Sequence, residues 1–146
     1  VRYEAEVLPG LEPFAAAEIR RGSGDASAVG EGAAGDLPFE YSGDPYDLLA
    51  LRTVVAVYRV LDFAIPRPKA LLGHQNFHRM VDAITAVAAL HPPGAFRTFR
   101  FSAAGRDSSV FDRLRDDLAA ETGLINAPDE ADLLLRVRPS ADRDRG

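Results

Sequence analysis

Residues 2 to 8 alternate without a break, with Tyr3, Ala5 and Val7 falling on one side and Arg2, Glu4 and Glu6 on the other. A period of two residues belongs to a strand with one buried and one solvated face, so the chain opens on a sheet that is covered on one side. Pro9 and Gly10 end that strand, and Leu11, Phe14, Ala15 and Ile19 then recur at helical spacing. Pro13 is tolerated in a first turn, Glu12 stands at the positive end of the helix dipole, Arg20 and Arg21 stand at the negative end, and Gly22 can supply a left-handed cap. A strand followed at once by a helix removes all-α and all-β folds and leaves the mixed classes.

The next segment, Gly22 to Asp36, is rich in Gly, Ala and Ser and predicts a poorly defined strand flanked by turns. Leu37, Phe39 and Tyr41 alternate again, and Pro38 places their strand at a sheet edge. Asp44 before Pro45 predicts an N-cap and first turn for a short helix reaching about Leu51. Val54 to Ile65 is apolar and β-branched, which predicts one long strand. Residues 1–65 thus run strand, helix, two strands, helix, strand, the order of a ferredoxin-like half-open sandwich.

Pro66 and Pro68 mark a linker to a second domain, residues 66–146. There Phe77, Met80, Val81, Ile84, Val87 and Ala88 form one apolar stripe and predict a helix that stops at Pro92, Pro93 and Gly94. A strand follows over Phe96 to Ala103. Ser109 with Asp112 three residues on resembles a capping box, opening a helix that ends at Gly123 with Phe111, Leu114 and Leu118 inward. The last strand is Ala131 to Arg138, with Leu133, Leu135 and Val137 on one side and Asp132, Leu134, Arg136 and Arg138 on the other.

Composition narrows the chemistry. The 146 residues are 47% hydrophobic and 27% charged, values of a folded domain or of two small ones. With no Cys there is no disulfide scaffold, thiolate metal site or cysteine nucleophile. The longest stretch free of charged residues, Ala83 to Phe96, contains Pro92 and Pro93 and cannot span a bilayer, and Arg2, Glu4 and Glu6 break any signal-peptide core. A cytoplasmic location without membrane partners is expected.

Motifs for catalysis are weak. His74 and His78 share a helix face, but Gln75 stands where a zincin would have Glu and no third ligand is evident, so no metal is expected. The glycines from Gly22 to Gly35 follow a helix, whereas a dinucleotide loop follows a strand. Asp116 and Asp117 are adjacent and point apart. Catalytic residues are therefore expected to be absent from the chain.

Charge, by contrast, is strongly patterned. The chain carries 17 basic and 22 acidic residues, a net charge of -5, yet residues 1–51 hold 3 basic and 10 acidic groups, residues 52–115 hold 10 and 4, and residues 116–146 hold 4 and 8. All cations except Lys69 are Arg, the side chain suited to bidentate phosphate contacts. Arg97 and Arg100 interleave with Phe96, Phe99 and Phe101, and Arg106, Ser108 and Ser109 lie in a loop that runs into a helix N-terminus. Guanidinium, hydroxyl and free backbone N–H groups together suit a nucleic-acid phosphate. Arg113, Arg67 and Lys69 complete the candidate RNA-binding set. On the same residues a bland reading stands beside this one, in which Phe99 and Phe101 are core, the arginines are surface groups and Ser109 is a cap.

Several short motifs also resemble one family. Leu8-Pro9-Gly10-Leu11-Glu12 and the helix after it look like the start of RNA methyltransferases that carry a THUMP domain. Phe39 to Asp44, Leu51-Arg52-Thr53 and Tyr58-Arg59-Val60-Leu61 are similar to the next landmarks, while Thr98 to Ser109 resembles the THUMP strand and its following loop and Ala131 to Val137 the later strand. The resemblance implies an α+β architecture, with an N-terminal ferredoxin-like domain over residues 1–65 packed on a THUMP-like RNA-binding domain over residues 66–146. It further implies a Rossmann-like domain in cis, after this segment, that uses S-adenosylmethionine to methylate guanine at N2. The chain is then expected to stop before that domain and before completion of the THUMP sheet. The implied substrate is tRNA, through its acceptor end, in preference to rRNA. A non-catalytic ferredoxin-like interaction or small-ligand domain is the alternative that the net charge of -5 suggests.

Overall fold

The structure, a computed structural model, describes residues 1–22, 35–103 and 109–138. It is mixed α and β with two small sheets, and the chain divides into two compact units, Val1–Leu61 and Asp62–Gly146.

In the first unit β1 (Arg2–Glu6) lies between β2 (Asp36–Glu40) and β3 (Ala56–Arg59), antiparallel to both. Alternation along β1 decides which residues are covered. Tyr3, Ala5 and Val7 are buried together with Leu37, Phe39 and Tyr41 against Ala15 and Ile19 of α1 (Glu12–Gly22) and against Leu48. Ala15 and Ile19 are four residues apart and therefore share one helix face. The rings of Tyr3 and Phe39, partners in the register, stack with centroids 5.6 Å apart. Pro38 sits opposite Glu4 in β2, a strand for which β1 is the one partner among the described residues. The weak strand predicted within 22–36 falls mostly on residues 23–34, outside the described ones.

Two glutamates close this unit by capping backbone amides. Glu12 accepts hydrogen bonds from Gly10 N–H at 2.7 Å and Gly35 N–H at 3.1 Å, while Gly35, at φ +88, gives its carbonyl to Val7 N–H at 2.7 Å. Glu18 accepts from the N–H groups of Arg52 and Thr53 and from Thr53 Oγ1 at 2.6 Å. The short helix after Asp44 is a 3₁₀ helix, Pro45–Ala50, and Asp44 Oδ1 accepts from Tyr46 N–H as an N-cap should. The long strand predicted from Val54 to Ile65 is overturned, because β3 is only four residues long. Val55 N–H donates to Glu6 and Val60 N–H to Arg2, so β3 extends only as far as five-residue β1 can pair with it. Phe63 and Ile65, at the far end of the same apolar run, pack into the core of the second unit.

The second unit holds the sheet β5-β4-β6, built from β4 (Thr98–Ala103), β5 (Ile125–Asn126) and β6 (Leu133–Val137), with both pairings parallel. A 3₁₀ helix (Pro68–Leu72), α2 (His74–Ala88) and α3 (Ser109–Thr122) pack on one face. Phe99 and Phe101 meet Leu71, Ile84, Phe111, Leu114, Leu118 and Leu124 there, with Leu133, Leu135 and Val137 beside them. Gly123, at φ +75, ends α3 and lets Leu124 turn back into the core. Two details differ from the prediction. Ser109 is the first residue of α3 rather than a flanking cap, and Asp112 takes a hydrogen bond from Arg115 Nη1 at 2.6 Å. Strand β5 is an addition, since two residues are too few to show any period.

The parallel arrangement of β5 and β6 with only six residues between them needs an explanation, because parallel strands ordinarily require long crossovers. Strand β5 pairs only with Thr98 and Phe99, so the chain passes the N-terminal end of β4. Asp132 fixes that passage by accepting from Arg97 N–H at 2.9 Å and Thr98 N–H at 3.2 Å, while its own N–H donates to Thr98 Oγ1 at 2.9 Å. Among the described residues, no helix is long and apolar enough to cross a membrane.

Candidate nucleic-acid interface

The predicted RNA-binding residues fall at three places in the second unit. Arg100 lies in the middle of β4. Since Phe99 and Phe101 are buried at 1% and 5% exposure, alternation puts Arg100 on the sheet face turned away from the helices. Arg97 precedes β4, is exposed, and donates from Nε to the Gly94 carbonyl at 3.3 Å. The remaining described candidates belong to the helical layer. Arg67 caps the 3₁₀ helix without a side-chain hydrogen bond, Lys69 lies within it, Ser109 opens α3, and Arg113 stands on α3 with its Nε 3.9 Å from Asp117 Oδ2. All four are exposed. Arg106 and Ser108 lie outside the described residues.

Register adds a residue that the sequence pattern did not select. Parallel pairing sets Arg100 beside Leu134 and Ser102 beside Arg136, so these four side chains share the face away from the helices. Ser102 and Arg136 are exposed, whereas Arg100 and Leu134 are half-buried. Thr98 and Ile125 extend the same face across β5. Arg136 had been visible as one of the outward residues of its strand, but its closeness to β4 depends on a pairing between residues more than 30 positions apart.

Other cations of the unit are committed to packing. The Arg79 guanidinium stacks over Phe63 at 4.4 Å and donates to the Asp62 carbonyl, and Arg115 reaches Phe101 at 6.0 Å while pairing with Asp112. Helix α3 is acidic overall, with Asp112, Asp116, Asp117 and Glu121 against Arg113 and Arg115. The basic stretch 52–115 does not coincide with either unit. Residues 1–61 hold 5 basic and 10 acidic groups, and residues 62–146 hold 12 of each.

The acidic face of the first unit provides the contrast. Opposite its core face, β1 and β2 present Arg2, Glu4, Glu6, Asp36 and Glu40, with Tyr58 Oη donating to Glu6 at 3.0 Å. Among the described residues, the depressed carboxyl groups belong to backbone clasps. Hydrogen bonds from Arg97 and Thr98, helped by the Arg97 charge, hold Asp132 below its ordinary pKa against a desolvation cost. For Glu18, desolvation is the largest effect and raises the pKa, but the bonds from Thr53 and Arg52 together with the Arg52 charge outweigh it.

His74 and His78 stand edge to face with centroids 4.3 Å apart, both exposed at the start of α2. Among the described residues no group of three or more His, Cys, Asp or Glu side chains is placed to hold a metal ion. The chain matches no family model, and no curated protein or solved structure matches it significantly.

Proposed function

We propose that this chain is the RNA-binding portion of an RNA guanine-N2 methyltransferase, with a ferredoxin-like unit followed by a THUMP-like unit and with tRNA, through its acceptor end, preferred over rRNA. The observation that carries the reading is β4, which buries Phe99 and Phe101 on one face and presents Arg100 on the other, with Arg97 exposed at its start. Arginine supplied from a rigid strand is suited to fixing a phosphate backbone. Strand order supports the fold part of the proposal: an antiparallel β2-β1-β3 with α1 over one face has three of the four strands of a split βαβ sandwich in their proper order. In this reading S-adenosylmethionine is held by a separate Rossmann-like domain in cis, the two units described here contribute RNA contacts only, and the protein works in the cytoplasm.

The equal count of acidic and basic groups in the second unit favours the competing reading, a non-catalytic interaction or small-ligand domain. The two readings differ in a salt titration. An RNA-binding chain loses affinity for a tRNA acceptor-stem RNA linearly in log salt, by about 0.7 to 0.9 in slope per phosphate neutralised. Replacing Arg97, Arg100 and Arg106 together with Ala should weaken that binding and flatten the slope. Affinity that is unchanged in the triple variant would remove these residues from the interface, and no salt-dependent binding at all would leave the interaction-domain reading.

A further inference from the structure

We infer that the RNA backbone lies on the face of the second sheet turned away from α2 and α3, held by Arg100 and Arg136 with Ser102 between them, and not on the helical layer. The inference rests on the RNA-binding reading above and names the surface that performs it. Three observations carry it. Register places Arg100, Ser102, Leu134 and Arg136 on one face, with Arg136 directly across from Ser102 and diagonal to Arg100. Adjacent strands lie about 4.8 Å apart and side chains on one face repeat about every 6.6 Å along a strand, so the two guanidinium groups stand within reach of neighbouring phosphates. Charge then separates the two layers. The face carries Arg100 and Arg136, with one acid, Asp132 just before β6, whose carboxylate accepts from the N–H groups of Arg97 and Thr98, whereas α3 carries four acids against two arginines. A polyanion approaching the helical layer meets Asp112, Asp116 and Asp117 beside Arg113, while on the sheet face it meets two arginines and a hydroxyl donor against the single carboxylate of Asp132.

Among the described residues this face also offers no aromatic stacking platform. Thr98, Arg100, Ser102, Ile125, Leu134 and Arg136 include no aromatic ring on which a base could stack. With two arginines and a hydroxyl as its donors, the surface is suited chiefly to the phosphodiester backbone.

The test uses the whole chain and fluorescently labelled single-stranded RNA 12-mers, with affinity followed by anisotropy between about 50 and 200 mM salt. Arg100→Gln with Arg136→Gln should lower affinity about ten-fold at the lowest salt and reduce the log-log slope by about 1.4, the value for two phosphates on a single strand. Arg67→Gln with Arg113→Gln should change affinity less than about two-fold. Because Arg100 is half-buried, Ser102→Glu serves as a second probe. It alters an exposed position only, places a carboxylate across from Arg136, and should weaken binding with the melting temperature unchanged. Loss of binding in the Arg67/Arg113 variant, with the sheet variants unaffected, would overturn this surface and leave RNA binding standing. Absence of salt-dependent binding by the unmodified chain would overturn both. Affinity differing more than about ten-fold between oligo-U and oligo-A would refute backbone reading, since stacking and base edges would then contribute.

Discussion

Gly43 is placed where no side chain fits, and the consequence of giving it one can be worked from distances. A Cβ built on Gly43 would lie 2.5 Å from Tyr41 Oη, 2.7 Å from Cζ and 3.2 Å from Cε1. Comfortable contacts begin near 3.5 Å, so the ring would have to retreat by about 1 Å. It has little room to do so, since Tyr41 is 5% exposed in the core with Phe39 and Leu48, and its Oη donates to Asp47 Oδ2 at 2.9 Å. Overpacking of this kind costs about 1 to 3 kcal/mol, and loss of the Tyr41–Asp47 bond adds about 0.5 to 1.5 kcal/mol. The smaller entropy of the unfolded chain when Ala replaces Gly returns about 0.4 to 1 kcal/mol. Gly43→Ala should thus destabilise the protein by about 1 to 3.5 kcal/mol net. Urea denaturation followed by circular dichroism measures it, with an unchanged dependence on denaturant. The decisive comparison is the double-mutant cycle: in a Tyr41→Leu background, which removes the phenol that Ala would strike, Gly43→Ala should be neutral or slightly stabilising. An equal cost in both backgrounds would refute the steric argument.

Three further expectations follow from the same structure. Phe99→Ala removes a ring that is 1% exposed from the centre of the second core and should cost about 3 to 5 kcal/mol in urea denaturation. Glu18 has a depressed pKa in the folded state, so its contribution is fully present above the ordinary glutamate value of 4.5 and is lost as pH falls through the lower folded value; Glu18→Gln should flatten the acid limb of a stability-pH curve relative to the unmodified chain. Arg113→Ala breaks only an exposed pair with a 3.9 Å separation and should shift stability by less than about 0.5 kcal/mol, visible as an unchanged thermal midpoint.

Local patterns carried much of the architecture. The alternation of Tyr3, Ala5 and Val7, the stripe of Phe77, Met80, Val81 and Ile84, and the inward set Phe111, Leu114 and Leu118 each state which side of an element is buried, and the cores follow them. Failures occurred where the deciding partner is distant in sequence. The length of β3 is set by how far β1 can pair, and an apolar run from Val54 to Ile65 cannot show that its two ends enter different cores. Strand β5 exists because Ile125 N–H and Ala127 N–H find the carbonyls of Arg97 and Phe99, a pairing with no local signal. The clasp of Glu18 on Arg52 and Thr53 spans 34 and 35 residues and was equally invisible. For the candidate interface, composition indicated a basic strip, but only register could show that Arg136 joins Arg100 while Arg113 and Lys69 lie on the other layer.

Hydrophobic burial on the opposite face of each strand accounts for that separation. A slip of one residue in the pairing of β4 with β6 would exchange the faces of one strand relative to the other. Slipping β6 would expose Leu133, Leu135 and Val137 and bring Leu134 and Arg136 against the helices. These three side chains are partly buried, so exposing them costs less than the full-burial value of about 1.5 to 3 kcal/mol apiece, yet still a sizeable part of the stability of an ordinary domain. Rotating β4 is dearer still, since Phe99 and Phe101 would leave the core and the Arg100 charge would enter it without a partner. The apolar faces of β4 and β6 thus supply a scaffold for the arginine pair. Exchanging Arg136 for Gln should leave the fold intact, which allows the RNA measurement to report on the surface and not on folding.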